Sequence, residues 1–93
     1  MSFEFMYILN SYSFFACATS KETVVVKDVH EFKGHIACDS RSQSEICVPI
    51  IIHNEFYGLL DIDSPITNRF DDNDKENLEK LVFIIQKEIS KII

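Results

Sequence analysis

Apolar residues near the C-terminus recur at steps of three and four, the spacing of one face of an α-helix. The positions on this predicted face are Leu78, Leu81, Val82, Ile85, Ile89 and Ile92. Asp71 is a suitable N-cap residue, and Asp72 and Asp74 place negative charge where the helix dipole is positive. The pattern predicts a helix from about residue 72 to about residue 91, roughly 30 Å long at 1.5 Å per residue.

The segments before this helix have the composition of β-strands. "EICVPIII" (45–52) is a nearly continuous apolar run, and the turn residues "HNE" separate it from "FYGLLDID", which predicts a hairpin of strands 45–52 and 56–62. Pro49 cannot donate to a ladder, so it is expected at a sheet edge or a bulge. The β-branched run "TVVV" predicts a third strand at 23–26, and residues 14–20 have a short helical pattern. Together these elements predict an α+β domain in which the long helix covers one face of an antiparallel sheet.

Length, charge and cysteine count narrow the function classes. The chain has 93 residues, enough for one small domain, and a net charge of −6 from 15 acidic and 9 basic residues. Such a charge disfavours nucleic acids and anionic membranes as partners and favours a positively charged small ligand. No apolar run reaches the ~18–20 residues of a membrane span. Three cysteines without a disulfide pattern are typical of free thiols in the cytoplasm.

Carboxylates lie at alternating positions in the predicted hairpin. Asp61 and Asp63 are two residues apart on one strand and share a face, as do Glu45 and Cys47 on the other. One interpretation is a strand end that runs into a polar turn, with solvated carboxylates. The other is a group of carboxylates that repel one another unless a cation binds, either a metal ion or the ammonium of a free amino acid.

The polar stretch from Lys27 to Ser44 has no apolar period and predicts a long loop, which contains "GHIACDS". Within it, Cys38 could be a nucleophile, a metal ligand or an inert thiol. His30, His35 and Asp39 could assist a metal, but no CxxC or HxxxH spacing supports zinc, so no metal site is expected. Elsewhere, Cys47 is expected to be a small buried apolar residue between Ile46 and Val48.

Taken in order, the motifs "KDVHEFKGHIACDS", "SEI-x-VPI", "G-x-LDIDSP" and "RFD" resemble the free methionine-(R)-sulfoxide reductases, which are GAF-domain enzymes. The resemblance runs from about Phe14 to the C-terminus. It implies that Cys38 is the catalytic nucleophile and that Glu45, Asp61 and Asp63 line the pocket for free methionine sulfoxide. It also implies that Cys38 is oxidised to a sulfenic acid and then to a disulfide, without a bound cofactor. Thioredoxin or another thiol is the external reductant that the resemblance implies. The resemblance is also compatible with a homodimer.

The N-terminal part departs from this family. Where relatives read "GVCGTAA", this chain reads "YSFFACA", so Phe14 occupies the position of a family cysteine. Cys17, displaced by three residues, is the remaining candidate for a resolving cysteine. We therefore divide the chain into an atypical N-terminal segment, 1–13, and a partial GAF domain, 14–93, whose N-terminal part is missing or altered. An inactive GAF fragment that binds a small ligand or a partner is the alternative to a working reductase.

Overall fold

An antiparallel sheet of three strands lies between two helices in the part of the chain that the computed structural model describes, residues 12–30 and 42–93. The elements in chain order are α1 (Tyr12–Ser20), β1 (Val24–Val26), β2 (Ser44–Ile52), β3 (Glu55–Ser64) and α2 (Asp72–Ser90). The strand order is β1-β2-β3, and both pairs are antiparallel. The α+β fold, its three strands and the long helix are as the sequence predicts. Within these residues, no helix has the length and apolar character needed to span a bilayer.

A two-residue turn, His53 and Asn54, joins β2 to β3. Both residues have positive φ, 52° and 67°, and a pair of left-handed residues matches the twist of the strands in a tight hairpin. The pairing then shifts between Ile50 and Ile51, so that Tyr57 is an extra residue on β3. Such a bulge reverses which face the following side chains occupy.

Pro49 occupies an edge position, one of the two predicted for it. β1 pairs with β2 only from Glu45 to Cys47, so Pro49 lies beyond the end of β1 on that side of β2. On its other side it faces Leu59 in regular register. A missing N–H is tolerated there because no neighbouring described strand needs it.

The main apolar core lies between α2 and one face of the sheet. It contains Ile46, Val48, Leu60, Phe70 and Val82. Of the predicted apolar face of α2, only Val82 is buried, whereas Leu78, Ile85 and Ile89 are half-buried. The prediction is wrong for Leu81 and Ile92, which are 44% and 81% exposed. Leu81 is rotated by about 100° from Val82, and Ile92 follows the end of the helix at Ser90.

The N-terminus of α2 has the predicted cap, extended to a complete capping box. The Asp71 carboxylate accepts a hydrogen bond from the Asp74 N–H at 2.9 Å, and the Asp74 carboxylate accepts one from the Asp71 N–H at 3.0 Å. Two N–H groups that the helix itself leaves unpaired are thereby satisfied. The hydrogen bond from the Asp74 N–H lowers the pKa of Asp71, because it favours the charged carboxylate that accepts it.

We expect Asp71→Ala to lower the Tm by roughly 3–6 °C at neutral pH, because the helix loses its N-cap acceptor. Asn73→Ala is the matched control, since its exposed side chain follows the cap by two residues and should leave the Tm nearly unchanged. The folded-state pKa of Asp71 lies below the ordinary value of 3.8, so the stabilisation is present above about pH 4 and is lost as pH falls through the lowered pKa. Thermal unfolding followed by circular dichroism at several pH values measures this. An equal loss at the lowest pH would contradict the carboxylate's role.

Candidate functional site

Four polar side chains from β2 and β3 lie on the face of the sheet that α1 covers. Antiparallel pairing places Glu45 opposite Asp63 and Cys47 opposite Asp61. Because strand side chains alternate between faces, the predicted pairs on each strand become one group, which we call the acidic cluster: Glu45, Cys47, Asp61 and Asp63. One ligand atom from each of Glu45, Cys47 and Asp61 lies within 4.8 Å of the other two.

Burial distinguishes the two interpretations of these carboxylates. Glu45 is 2% exposed and Asp61 is 1% exposed, whereas Asp63 is half-buried. A solvated strand end is therefore excluded for Asp61. Carboxylates removed from water are costly unless they are hydrogen-bonded, protonated or paired with a cation.

Hydrogen bonds from α1, from the residues before β2 and from β2 itself orient the cluster. The Ser13 hydroxyl of α1 donates to Glu45 Oε1 at 2.7 Å, and the Ser42 hydroxyl donates to Asp63 Oδ1 at 3.2 Å. The Cys47 thiol donates to Asp61 Oδ1 at 3.5 Å. No donor from the described residues reaches Asp61 Oδ2, which is buried. A proton on Asp61 can instead be donated to Glu45, the carboxyl group that hydrogen-bonds with it.

The surroundings of Asp61 favour its protonated form. Burial raises its pKa well above the ordinary range, and the hydrogen bond and charge of Glu45 and the charge of Asp63 raise it further. A charge in a poorly solvated site next to another carboxylate is unfavourable, so the pair retains a proton. The cluster therefore contains a carboxylic acid that can donate a proton at neutral pH.

Cys47 has a role in this cluster that the sequence interpretation missed. Its burial is as expected, with 1% exposure, but its thiol contacts a carboxyl group and does not only fill apolar space. Burial, followed by the charges of Glu45 and Asp61, raises its pKa far above the ordinary value. The signal available in the sequence was its spacing of two residues from Glu45, which places both on one face.

Cys17 lies beside Cys47 in a second, smaller core. Its Sγ donates to the Cys47 carbonyl oxygen at 3.8 Å, and the two cysteines pack with Leu59. Burial, with smaller contributions from the charges of Asp61 and Glu45, raises the pKa of Cys17 to about 12. A buried thiol with so high a pKa is a poor nucleophile at neutral pH, because thiol exchange requires the thiolate.

Ser13 is a contact residue that the sequence interpretation missed. It is fully buried at the start of α1 and bonds to Glu45. No spacing rule singles out one serine in "YSFF", since its importance depends on how α1 packs on the sheet.

Several predicted candidates are not part of the described cluster. Cys38, His35 and Asp39 lie outside the described residues. His30 is exposed, and its backbone N–H donates to Asp28. Among residues 12–30 and 42–93, the one group of three ligand atoms close enough to hold a metal ion is that of Glu45, Cys47 and Asp61. The expectation that no metal binds stays a prediction.

Comparisons with known proteins agree with the fold and the motifs. The GAF domain family matches residues 4–89. Free methionine-R-sulfoxide reductase of Escherichia coli is 48% identical over 62 residues, which cover 67% of this chain and 38% of that protein. The protein of the same name from Saccharomyces cerevisiae is 49% identical over 71 residues, covering 75% of this chain and 39% of its own length.

Two solved structures show the same arrangement of elements. The reduced form of fRMsr of Staphylococcus aureus has a TM-score of 0.73 and 60% identity, covering 76% of this chain and 46% of that one. The Neisseria meningitidis free methionine-R-sulfoxide reductase, solved in complex with its substrate, has a TM-score of 0.77 and 40% identity, covering 82% and 47%. The chain thus spans less than half the length of each of these relatives.

Proposed function

This chain belongs to the GAF domain family, and we propose that it reduces free L-methionine-(R)-sulfoxide to methionine, with Cys38 as the nucleophile and the acidic cluster as the substrate site. The observation that carries the proposal is the buried carboxyl group of Asp61 beside Glu45 and Asp63, in a chain with extensive identity to reductases of this name. Asp61, Asp63 and Glu45 all belong to the motifs that the resemblance rests on.

The cluster suits a free amino acid. An α-ammonium group supplies the positive charge that closely spaced carboxylates need. Asp63 is half-buried and bonded to Ser42, so it can be reached from solvent while its orientation is held. Peptide-bound methionine sulfoxide lacks the ammonium and would leave the carboxylates without their counter-charge.

The same cluster supplies the proton that the reaction consumes. In the proposed step the Cys38 thiolate attacks the sulfoxide sulfur, the oxygen is protonated and transferred to Cys38 Sγ as the substrate S–O bond breaks, and methionine leaves as the thioether while Cys38 becomes a sulfenic acid. The sulfoxide oxygen must be protonated as this happens, and Asp61 holds a proton because its pKa is raised. A thiol then condenses with the sulfenic acid to give a disulfide and water. Thioredoxin or another cytoplasmic thiol would reduce that disulfide.

The alternative is a non-catalytic GAF module that binds a small ligand or a protein. One observation favours it. The described thiols, Cys17 and Cys47, are buried with raised pKa values. A module of this kind would use the acidic cluster to bind an amine without turnover.

The test is formation of methionine from free methionine-(R)-sulfoxide with dithiothreitol as reductant, measured by amino-acid analysis. We expect turnover of the R epimer and none of the S epimer or of N-acetylmethionine sulfoxide, which has no ammonium group. Calorimetric titration with the R epimer distinguishes the two proposals. Binding without turnover would support the non-catalytic module, and turnover of the acetylated compound at an equal rate would contradict the role given to the carboxylates.

A further inference from the structure

The hydrogen-bonded carboxyl groups of Glu45 and Asp61 can hold their shared proton on either side. Both are buried, and burial, with the hydrogen bond and charge of Glu45, raises the pKa of Asp61, so the pair retains one proton at neutral pH. In such a pair the proton belongs to both groups unless a further contact favours one of them. Its location matters, because in the proposed function Asp61 is the acid that protonates the sulfoxide oxygen.

Ser13 contacts the Glu45 side of this pair. Its hydroxyl donates to Glu45 Oε1 at 2.7 Å, and both residues are buried, Ser13 completely. A hydrogen bond donated to a carboxylate favours the ionised form, and such charge-assisted bonds are roughly twice as strong as neutral ones. The hydroxyl also interacts with the Cys47 thiol, but a neutral thiol is a weak acceptor. The contact therefore favours a charged Glu45 and leaves the proton to Asp61.

Two neighbouring groups oppose this location of the proton. The Cys47 thiol donates to Asp61 Oδ1, which favours a charged Asp61, but a thiol is a weak donor and the distance is 3.5 Å. Asp63 lies opposite Glu45 in the strand register, so its negative charge disfavours a second charge on Glu45. The raised pKa of Cys17, a further titratable neighbour, keeps that thiol neutral. The hydroxyl bond to Glu45 is thus the contact that offsets the charge of Asp63.

The second oxygen of Asp61 agrees with a proton on this residue. Asp61 Oδ2 is buried, and no donor from residues 12–30 and 42–93 reaches it. A buried carboxylate oxygen without a donor is costly. An oxygen that carries the proton and donates it to Glu45 needs no donor of its own.

Building on the proposed reductase function, we propose that Ser13 is a positioning residue that keeps the shared proton on Asp61 by holding Glu45 in its ionised form. Glu45 then accepts from both sides, from the hydroxyl of Ser13 and from the carboxyl group of Asp61. Ser13 acts through Glu45 and does not itself transfer the proton. One hydrogen bond across 32 residues of chain thereby selects which carboxyl group of the cluster is the acid.

Carbon-13 NMR of the carboxyl carbons of aspartate and glutamate locates the proton directly. The two resonances are assigned by their loss in Asp61→Asn and Glu45→Gln. At pH 7 we expect Asp61 at the chemical shift of a protonated acid and Glu45 at that of a carboxylate. In Ser13→Ala the ratio of protonated Asp61 to protonated Glu45 should fall about tenfold or more, the size expected for loss of one hydrogen bond to a charged group. A wild-type proton on Glu45, or an unchanged ratio in Ser13→Ala, would overturn the proposal.

Two further variants separate the hydroxyl from the packing of α1. Ser13→Thr keeps the hydroxyl and should keep the wild-type ratio. Ser42→Ala is the matched control, because it removes a hydroxyl that donates to Asp63, and it should leave the ratio nearly unchanged. If Ser13→Thr or Ser42→Ala lowers the ratio as much as Ser13→Ala does, the hydroxyl of Ser13 does not have this role.

Turnover of free methionine-(R)-sulfoxide with dithiothreitol is measured on the same variants. In Ser13→Ala, kcat should fall in proportion to the fraction of protonated Asp61 that NMR reports, and KM should change less, because Asp63 is intact. An unchanged kcat despite a displaced proton would contradict the positioning role. If the wild-type chain shows no turnover, the proposed function fails, whereas the carboxyl resonances still decide where Ser13 places the proton.

Discussion

Replacement of Cys38 by serine is expected to lower methionine formation by about a thousandfold or more, because the serine hydroxyl is a far weaker nucleophile at neutral pH and cannot take up the sulfoxide oxygen as a sulfenic acid. Cys17→Ser should change the rate with dithiothreitol less than about twofold. Both variants are assayed for methionine with free methionine-(R)-sulfoxide. Cys17→Ser is also the control for a general loss of thiols, since it removes one of the chain's three cysteines.

The same pair of variants addresses how an oxidised Cys38 would be reduced again. Cys17 is fully buried and holds its proton, with a pKa of about 12, so it is a poor partner for a Cys38 sulfenic acid. Cys47 is buried in the sheet and bonded to Asp61. Activity should therefore be supported much better by dithiothreitol, which reacts with the sulfenic acid directly, than by thioredoxin. A Cys17–Cys38 disulfide after one turnover, with efficient cycling by thioredoxin, would show that Cys17 is the resolving cysteine.

Asp61→Asn is expected to have opposite effects on activity and stability. The amide has the shape of the acid and can still bond to Glu45 and Cys47, but it cannot give up a proton. Loss of a general acid typically costs about a hundredfold to ten-thousandfold in rate. The variant should nevertheless be more stable than the wild type at pH 7, by more than about 1.4 kcal/mol, which corresponds to one pKa unit.

The stability change should depend on pH in a defined direction. The folded-state pKa of Asp61 is raised above the ordinary value of 3.8, so the folded state holds a proton that the unfolded chain releases. Its favourable contribution is fully present below pH 3.8 and is lost as pH rises toward the raised pKa. The gain in Asp61→Asn should therefore be small at pH 4 and large at pH 8, as measured by urea unfolding. Asp63→Asn is the control. Its side chain is half-buried, so we expect this substitution to affect substrate binding more than it affects the pH dependence of stability.

Local sequence features determined most of the fold. Local signals define α2, because a helix depends on neighbours within one turn. These signals are the capping residues Asp71 and Asp74 and the recurrence of apolar residues at steps of three and four. Alternation along a strand likewise placed Asp61 with Asp63, and Glu45 with Cys47, on common faces. The turn at His53 and Asn54 joins the two strands into a hairpin, so the two pairs face each other, although the contact of the Cys47 thiol with Asp61 was not predicted.

Tertiary structure decided which of these positions are buried and what they contact. Sequence periodicity could not distinguish Val82, in the core, from Leu81, at the surface, because both lie within a broad apolar arc of α2. Asp61 and Cys47 became a buried acid and its hydrogen-bonded thiol only because α1 packs over that face of the sheet. Ser13 joined the site through a contact 32 residues away in the chain. Burial and pKa depend on such distant packing, which no local pattern encodes.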